Sequence, residues 1–169
     1  MTQIRQIRPD DWQKFKALRI EALRLHPEAF GATYEYELSK TDEEWQERAH
    51  ECATSQDNII AVADNECQLV GMVGLYRDSG KHAHVAHIWG VYVQADFRGR
   101  NLGWALMQEA LAGARRMEGL RKVSLQVNAV ATPAYRLYLS CGFKETGRMV
   151  QEMCVDNVYY DMLLMELYI

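Results

Sequence analysis

Cysteine is sparse and scattered in this chain of 169 residues. Cys52, Cys67, Cys141 and Cys154 form no Cys-x-x-Cys pair. That argues against a redox or zinc motif and reads as reduced, mostly buried thiols. Long apolar runs are missing too: none approaches the roughly 18 residues a membrane span needs. The opening Met-Thr-Gln-Ile-Arg-Gln-Ile-Arg alternates apolar and polar residues and has no hydrophobic signal region. The expectation is a cytoplasmic protein with no membrane partner. Positive charge is in deficit, with a net charge of −4, which argues against nucleic acid as the main partner. An acidic surface suits a cationic amine, though most acidic proteins bind nothing cationic. No repeat, low-complexity segment or linker interrupts the chain, so residues 1–169 read as one domain. With 49% apolar and 25% charged residues, the composition is that of an ordinary globular domain with a sizeable core.

What is present is a regular succession of elements. Gln3 to Arg8 alternates as an opening strand, and Pro9-Asp10-Asp11 starts a helix with Phe15, Leu18, Ala22 and Leu25 on one face, stopping before Pro27. Glu28 to Lys40 is aromatic, acidic and irregular by pattern. Asp42 to Ala53 is helical by composition. Strands Asn58–Ala63 and Gln68–Tyr76 form a hairpin, and a strand from His82 to Val93 follows. Leu102, Leu106, Ala110 and Ala114 line one face of a helix. Lys122 to Asn128 reads as a strand. Pro133 opens a short helix over Ala134 to Ser140, ended by Gly142. Strands Phe143–Met149 and Asn157–Leu167 complete the chain. A meander ahead of strand–helix–strand units predicts an α/β (α+β) domain with a mixed sheet.

The organising stretch runs from Ile88 to Ala105. An apolar strand ends at Val93, and Arg98-Gly99-Arg100-Asn101-Leu102-Gly103 opens directly into a helix. Unpaired first-turn N–H groups, the helix dipole and glycines that admit close approach make an anion site there. The loop lacks the Gly-Lys-Ser/Thr ending of a nucleotide-triphosphate loop and the three-glycine dinucleotide fingerprint. What remains is Arg98-x-x-Asn101-x-Gly103.

That pattern resembles the acyl-CoA pyrophosphate loop of the GNAT superfamily of N-acyltransferases, Gln/Arg-x-x-Gly-x-Gly/Ala. Asn101 stands where a glycine is usual, and Asn is among the few residues that tolerate a left-handed backbone. A second stretch adds to the resemblance. Ala134, Leu137, Tyr138, Gly142 and Phe143 match the superfamily's Ala-x-x-Leu-Tyr-x-x-x-Gly-Phe in register. The Asn usual three residues before that Ala is Ala131 here, and Asn128 at the strand end stands in for it. The two motifs together cover about Ile88 to Phe143.

The resemblance implies a largely antiparallel sheet of about seven strands with helices on both faces, and a splayed parallel pair that holds acetyl-CoA as co-substrate. It implies that Arg98, Gly99, Arg100, Asn101, Leu102, Gly103 and Trp104 hold the pyrophosphate. Val91, Tyr92, Val93 and Asn128 would meet the pantetheine arm and acetyl group. Gly90, inside the strand, predicts a bulge beside them. Tyr138 becomes a cofactor contact and the general acid that protonates the leaving thiolate; a phenol has a reference pKa of about 10. The competing reading of Tyr138 is a core tyrosine.

The base is less legible. At pH 7 an α-amine of pKa near 8 is about a tenth neutral, a penalty of roughly 1.4 kcal/mol; a lysine-like amine near 10.4 carries roughly 4.6 kcal/mol. His87 is the candidate base, directly or through water, with Glu35 and Glu37 as rivals; an exposed strand histidine and a solvated acidic loop are the commoner readings of those side chains. His82, His84 and His87 do not make a metal site, since only two could share a strand face and no carboxylate or Cys stands nearby at ligand spacing. The reading is therefore a metal-free N-acetyltransferase that moves acetyl directly from acetyl-CoA to the primary amine of a small molecule or a peptide N-terminus. The alternative is a non-catalytic acyl-CoA-binding sensor or scaffold. A homodimer accords with the commonest symmetric assembly and with the superfamily.

Overall fold

The computed structural model describes residues 2–169. The elements run β1 (Gln3–Gln6), α1 (Trp12–Leu25), α2 (Tyr34–Leu38), α3 (Asp42–Thr54), β2 (Asn58–Asp64), β3 (Leu69–Arg77), β4 (Val85–Val93), α4 (Leu102–Ala114), β5 (Lys122–Asn128), α5 (Thr132–Ser140), β6 (Lys144–Val155) and β7 (Val158–Tyr168). They form one seven-stranded sheet in the order β1-β2-β3-β4-β5-β7-β6. Every neighbouring pair is antiparallel except β4 and β5.

Apolar clusters cover both faces of the sheet. On one face α4 lays Leu106, Met107, Ala110, Leu111 and Ala114 against Ile59, Ala61, Val73, Leu75, Ala86 and Ile88. On the other, Phe15, Leu18, Ala22 and Leu23 of α1 and Trp45 and Ala49 of α3 pack on Ile60, Val62 and Met72. Successive residues of β2 alternate between the two clusters, as the two-residue period of a strand requires. β3 is buried along Leu69–Leu75 because it is central and covered on both sides.

The parallel pair opens the sheet. β4 and β5 exchange register at Val85↔Lys122, Ala86↔Val123 and His87↔Ser124, and nowhere beyond. From Ile88 on, the two strands part, and the backbone edge of β4 has no strand beside it. The rest of β5 pairs instead with β7, through Asn128↔Met162.

Several local expectations are revised. Pro9–Asp11 is a separate 3-10 turn, and α1 begins at Trp12. Leu25 is half-exposed at the end of α1, while Arg19 takes a place on its buried face. The stretch that lacks a pattern contains α2, five residues whose start is fixed by the Thr33 hydroxyl accepting from the Tyr36 N–H. β4 starts at Val85, because Gly80, at φ +60, turns the chain into a 3-10 segment through His82. β6 runs on to Val155, across an irregularity between Met149 and Met153 where Gln151 has φ +53.

Candidate active site

The bulge on β4 is the first part of the site. Between Gly74↔Trp89 and Met72↔Tyr92, β3 advances two residues and β4 three. The extra residue falls at Gly90, whose φ is +65, a left-handed value that glycine adopts without strain. One added residue swaps the faces of everything after it. Before the bulge, Ile88 packs toward α4 and Trp89 toward α1; after it, Val91 and Val93 face α4 and Tyr92 faces α1. The Tyr92 hydroxyl donates to Glu21 Oε1 at 2.8 Å, and the Gln94 amide donates to Glu21 Oε2 at 2.9 Å. These bonds tie the end of β4 to α1.

The loop that follows has the left-handed conformations its residues allow. Gly99 has φ +75, and Asn101, the N-cap of α4, has φ +61. The first helical hydrogen bond is Ala105 N–H to the Asn101 carbonyl at 3.1 Å. The N–H groups of Leu102, Gly103 and Trp104 therefore lie ahead of the helical ladder and are available to an anion. Arg98 is held at the floor of the loop: Nε donates to the Val93 carbonyl at 2.9 Å, and Nη2 lies 3.1 Å from His26 Nε2. Its guanidinium also covers the Tyr92 ring. A Cβ on Gly103 would stand 3.3 Å from Leu137 Cδ2, so the glycine lets α5 come close to the start of α4.

These residues line one cleft of about 640 Å³. Val91, Tyr92, Val93, Arg98, Gly99, Asn101, Leu102, Gly103 and Trp104 all border it. Arg100 does not; its Nη2 donates to the Asp96 carbonyl and its guanidinium covers Phe97. A narrower cavity of about 80 Å³ occupies the wedge between β4 and β5, bordered by Trp89, Gly90 and Val91 on one side and Leu125 to Asn128 on the other, with Tyr138 at its end. Tyr138 is buried, and burial, with Cys141 beside it, pushes its pKa upward, so the phenol stays protonated across the physiological range. No hydrogen bond among the described residues engages its hydroxyl. Asn128 Nδ2 donates to the Glu28 carbonyl at 3.0 Å and Oδ1 accepts from Val130 N–H, fastening the loop after α1 to the end of β5.

The three side chains weighed as bases lie elsewhere. His87 sits at the paired end of β4, stacked on Tyr76, with Nε2 2.8 Å from Asp78 Oδ2; it borders neither cleft. Glu35 is exposed on α2. Glu37 is buried in an ion cluster: Lys40 donates to it at 2.9 Å, Arg48 at 3.1 and 3.2 Å, and Arg19 Nη2 lies at 3.6 Å. Burial pushes its carboxyl upward, but Lys40, Arg48 and Arg19 outweigh that and hold it below the ordinary carboxylate range. The structure adds residues that pattern reading passed over. His26, Ala29 and Phe30, just after α1, border the large cleft beside Arg98. The only local signal was Pro27 ending a helix next to a histidine.

The splayed parallel pair, the bulge at its opening and the loop leading into α4 make one α/β domain with a cleft where its strands part. The model of the acetyltransferase (GNAT) family matches residues 8–143, and the chain belongs to that family. It is 32% identical over 142 residues to the mycothiol acetyltransferase of Brachybacterium faecium, covering 83% of this chain but 40% of that protein. Among solved structures it is similar to an acetyltransferase of the GNAT family from Streptococcus pneumoniae, at 23% identity and TM-score 0.89, with both chains fully covered. It is also similar to yncA from Salmonella typhimurium, solved with its cofactor acetyl-CoA, at 19% identity and TM-score 0.84, over 99% of this chain and 94% of that one. The two structures show that the fold is shared.

Proposed function

We propose that the protein is an acetyl-CoA-dependent N-acetyltransferase that passes acetyl directly to the primary amine of an acceptor. One observation carries this reading: the left-handed Arg98–Gly103 loop, the Gly90 bulge and the free Tyr138 hydroxyl all open on the clefts at the parting of β4 and β5. Bound there, acetyl-CoA supplies an activated acyl group on a thiol leaving group.

Each part of the chain then has a role. The N–H groups of Leu102, Gly103 and Trp104 receive the pyrophosphate, and Arg98 adds a positive charge that Val93 and His26 hold in place. The unpaired edge of β4 beyond His87 offers backbone groups to the pantetheine arm, in the manner of an added strand. The bulge re-aims backbone N–H groups at Val91, which can meet negative charge developing on the carbonyl oxygen. Tyr138 stands by the leaving sulfur. Its raised pKa makes complete proton transfer to a thiolate, whose acid has a pKa of about 8.5, uphill. Tyr138 therefore acts as a hydrogen-bond donor to the departing sulfur, and the proton itself comes from water. His87 and Glu37 are engaged with Asp78 and with the cations around α2, so solvent in the cleft takes the proton of the amine.

The test is thiol release from acetyl-CoA with a panel of polyamines, free amino acids, aminoglycosides and short peptides, run on the wild type and on Tyr138→Phe. The reading expects turnover on one class and a loss of at least about tenfold in kcat for the variant. Acetyl-CoA that raises the melting temperature without any turnover supports a binding module instead. If it does neither, the assignment of Arg98–Gly103 fails.

A further inference from the structure

The wedge between β4 and β5 has two sides, and they carry different chemistry. Ala29, Val91, Ala131 and Ala134 border both the large cleft and the wedge, so the two spaces adjoin. Leu125 and Val127 of β5 belong, with Tyr138, to the core beneath α4. Strand alternation then turns Gln126 to the opposite, α1 face. Gln126 is the one exposed residue of β5, and it borders the wedge on the strand facing Gly90.

Trp89 leaves that side open. A Cβ on Gly74 would lie 2.0 Å from Trp89 Cε2, so the indole lies over bare backbone of β3. β3 and β5 flank β4 on opposite sides, so the ring leans away from Gln126. The guanidiniums of Arg48 and Arg19 lie against it, with Cζ 4.8 and 5.4 Å from a ring centroid. Four side chains at the wedge carry polar atoms: Trp89, Gln126, Asn128 and Tyr138. Trp89 has a donor and no acceptor. Asn128 is engaged at both ends, by the Glu28 carbonyl and the Val130 N–H. Tyr138 belongs to the α4 side, where the sulfur leaves. Gln126 remains, with a side-chain amide that has no hydrogen-bond partner among the described residues.

We infer that Gln126 is a catalytic residue that receives the acceptor amine. Its side-chain carbonyl accepts an N–H of the attacking nitrogen and directs the lone pair at the thioester carbon beside Gly90. This rests on the acetyl-transfer reading above. Amine and leaving sulfur then occupy opposite faces of the sheet, with Gln126 serving one and Tyr138 the other. The nitrogen bonds to the carbonyl carbon, the C–S bond breaks, one amine proton passes to water, and the sulfur takes a proton from water to leave as the CoA thiol. As the N–C bond forms, the nitrogen gains positive charge, and no carboxylate among the described residues borders the wedge to meet it. The hydrogen bond to Gln126 strengthens at that stage, so it raises kcat as well as holding the amine. An amide does not titrate near neutral pH, so Gln126 orients the nucleophile without acting as a base.

Two variants test this, assayed by thiol release with whichever amine the wild type turns over. Gln126→Met keeps the length of the side chain and removes the hydrogen-bond acceptor; Gln126→Glu keeps an acceptor. Gln126→Met should lower kcat at least about tenfold. Its acetyl-CoA affinity by calorimetry and its melting temperature should stay at the wild-type values, and its pH–rate profile should drop without changing shape. Gln126→Glu should keep at least about a third of the wild-type kcat. Wild-type rates in Gln126→Met overturn the inference, and so do equal losses in both variants, which would mark a packing role. Acetyl-CoA that binds while no amine is turned over refutes the acetyl-transfer reading, and the inference falls with it.

Discussion

On the α4 side of β4, the site is made of backbone. Gly99 and Asn101 hold left-handed conformations, the first turn of α4 offers N–H groups, and Gly90 places a bulge. Behind the bulge, the α1 side of β4 is instead built of side chains drawn from distant parts of the chain: Arg19, Glu37, Arg48 and Trp89 come from α1, α2, α3 and β4. There the Trp89 ring lies near both guanidiniums, with Cζ of Arg48 4.8 Å from its centroid and that of Arg19 5.4 Å away. The backbone wall depends on a few residue types at fixed spacing and tolerates change between them. The side-chain wall depends on one buried carboxylate shared by three cations, so single substitutions there should do more damage.

The largest effect is expected at Glu37. Glu37→Ala strands Arg19, Arg48 and Lys40 without their common carboxylate and should lower unfolding free energy by about 3 kcal/mol or more, read by urea denaturation at neutral pH. Equal stability would mean that the cluster is solvated. Next comes Gly74→Ala. A Cβ there would lie 2.0 Å from Trp89 Cε2, so the indole must leave its place. A loss of about 1–3 kcal/mol and an altered tryptophan fluorescence spectrum are expected.

Acid should act through the same wall. The Glu37 carboxyl is held below its ordinary value by Lys40, Arg48 and Arg19, in spite of burial. Its contribution is therefore complete above the unfolded value of about 4.5 and disappears as pH falls through the lower folded value. Asp11, bound to Arg5 and to the Arg8 N–H, and Asp64, also bound to Arg5, are lowered likewise and add to the same slope. Stability measured from about pH 6 to about pH 3 should decline below about 4.5, and Glu37→Gln should flatten that decline. A wild-type curve that is flat in this window contradicts the assignment. The smallest effect is expected at His87. Its ring is taken up by Asp78 and Tyr76, so His87→Asn should leave kcat within about twofold; a large fall with a lost acidic limb in the pH–rate profile would restore it as the base.

The same contrast explains what could be read from the sequence. The loop, the bulge and the Tyr138 helix were legible because glycine, asparagine and helix-start signals act within a few residues. The strands followed from alternation and the mixed sheet from element order, while the splayed parallel pair was implied by the resemblance to the GNAT superfamily. Nothing local to Arg19 announces Glu37 or Trp89, which reach it only in the folded chain. α2 escaped notice because Tyr-Glu-Tyr-Glu-Leu is too short for a helical period and is set by the Thr33 cap. His82 falls in a 3-10 segment that Gly80 starts and His84 in the turn after it, so only His87 of the three lies on β4.

The most direct test of the central claim compares acetyl-CoA with S-acetylpantetheine in binding calorimetry. The second compound keeps the thioester and arm but lacks the nucleotide and the pyrophosphate. If the Arg98–Gly103 loop is the pyrophosphate site, acetyl-CoA binds and the truncated ligand binds at least about a hundredfold more weakly, since charge-assisted contacts to several N–H groups are lost. Equal affinities, or no binding of acetyl-CoA, would contradict the account.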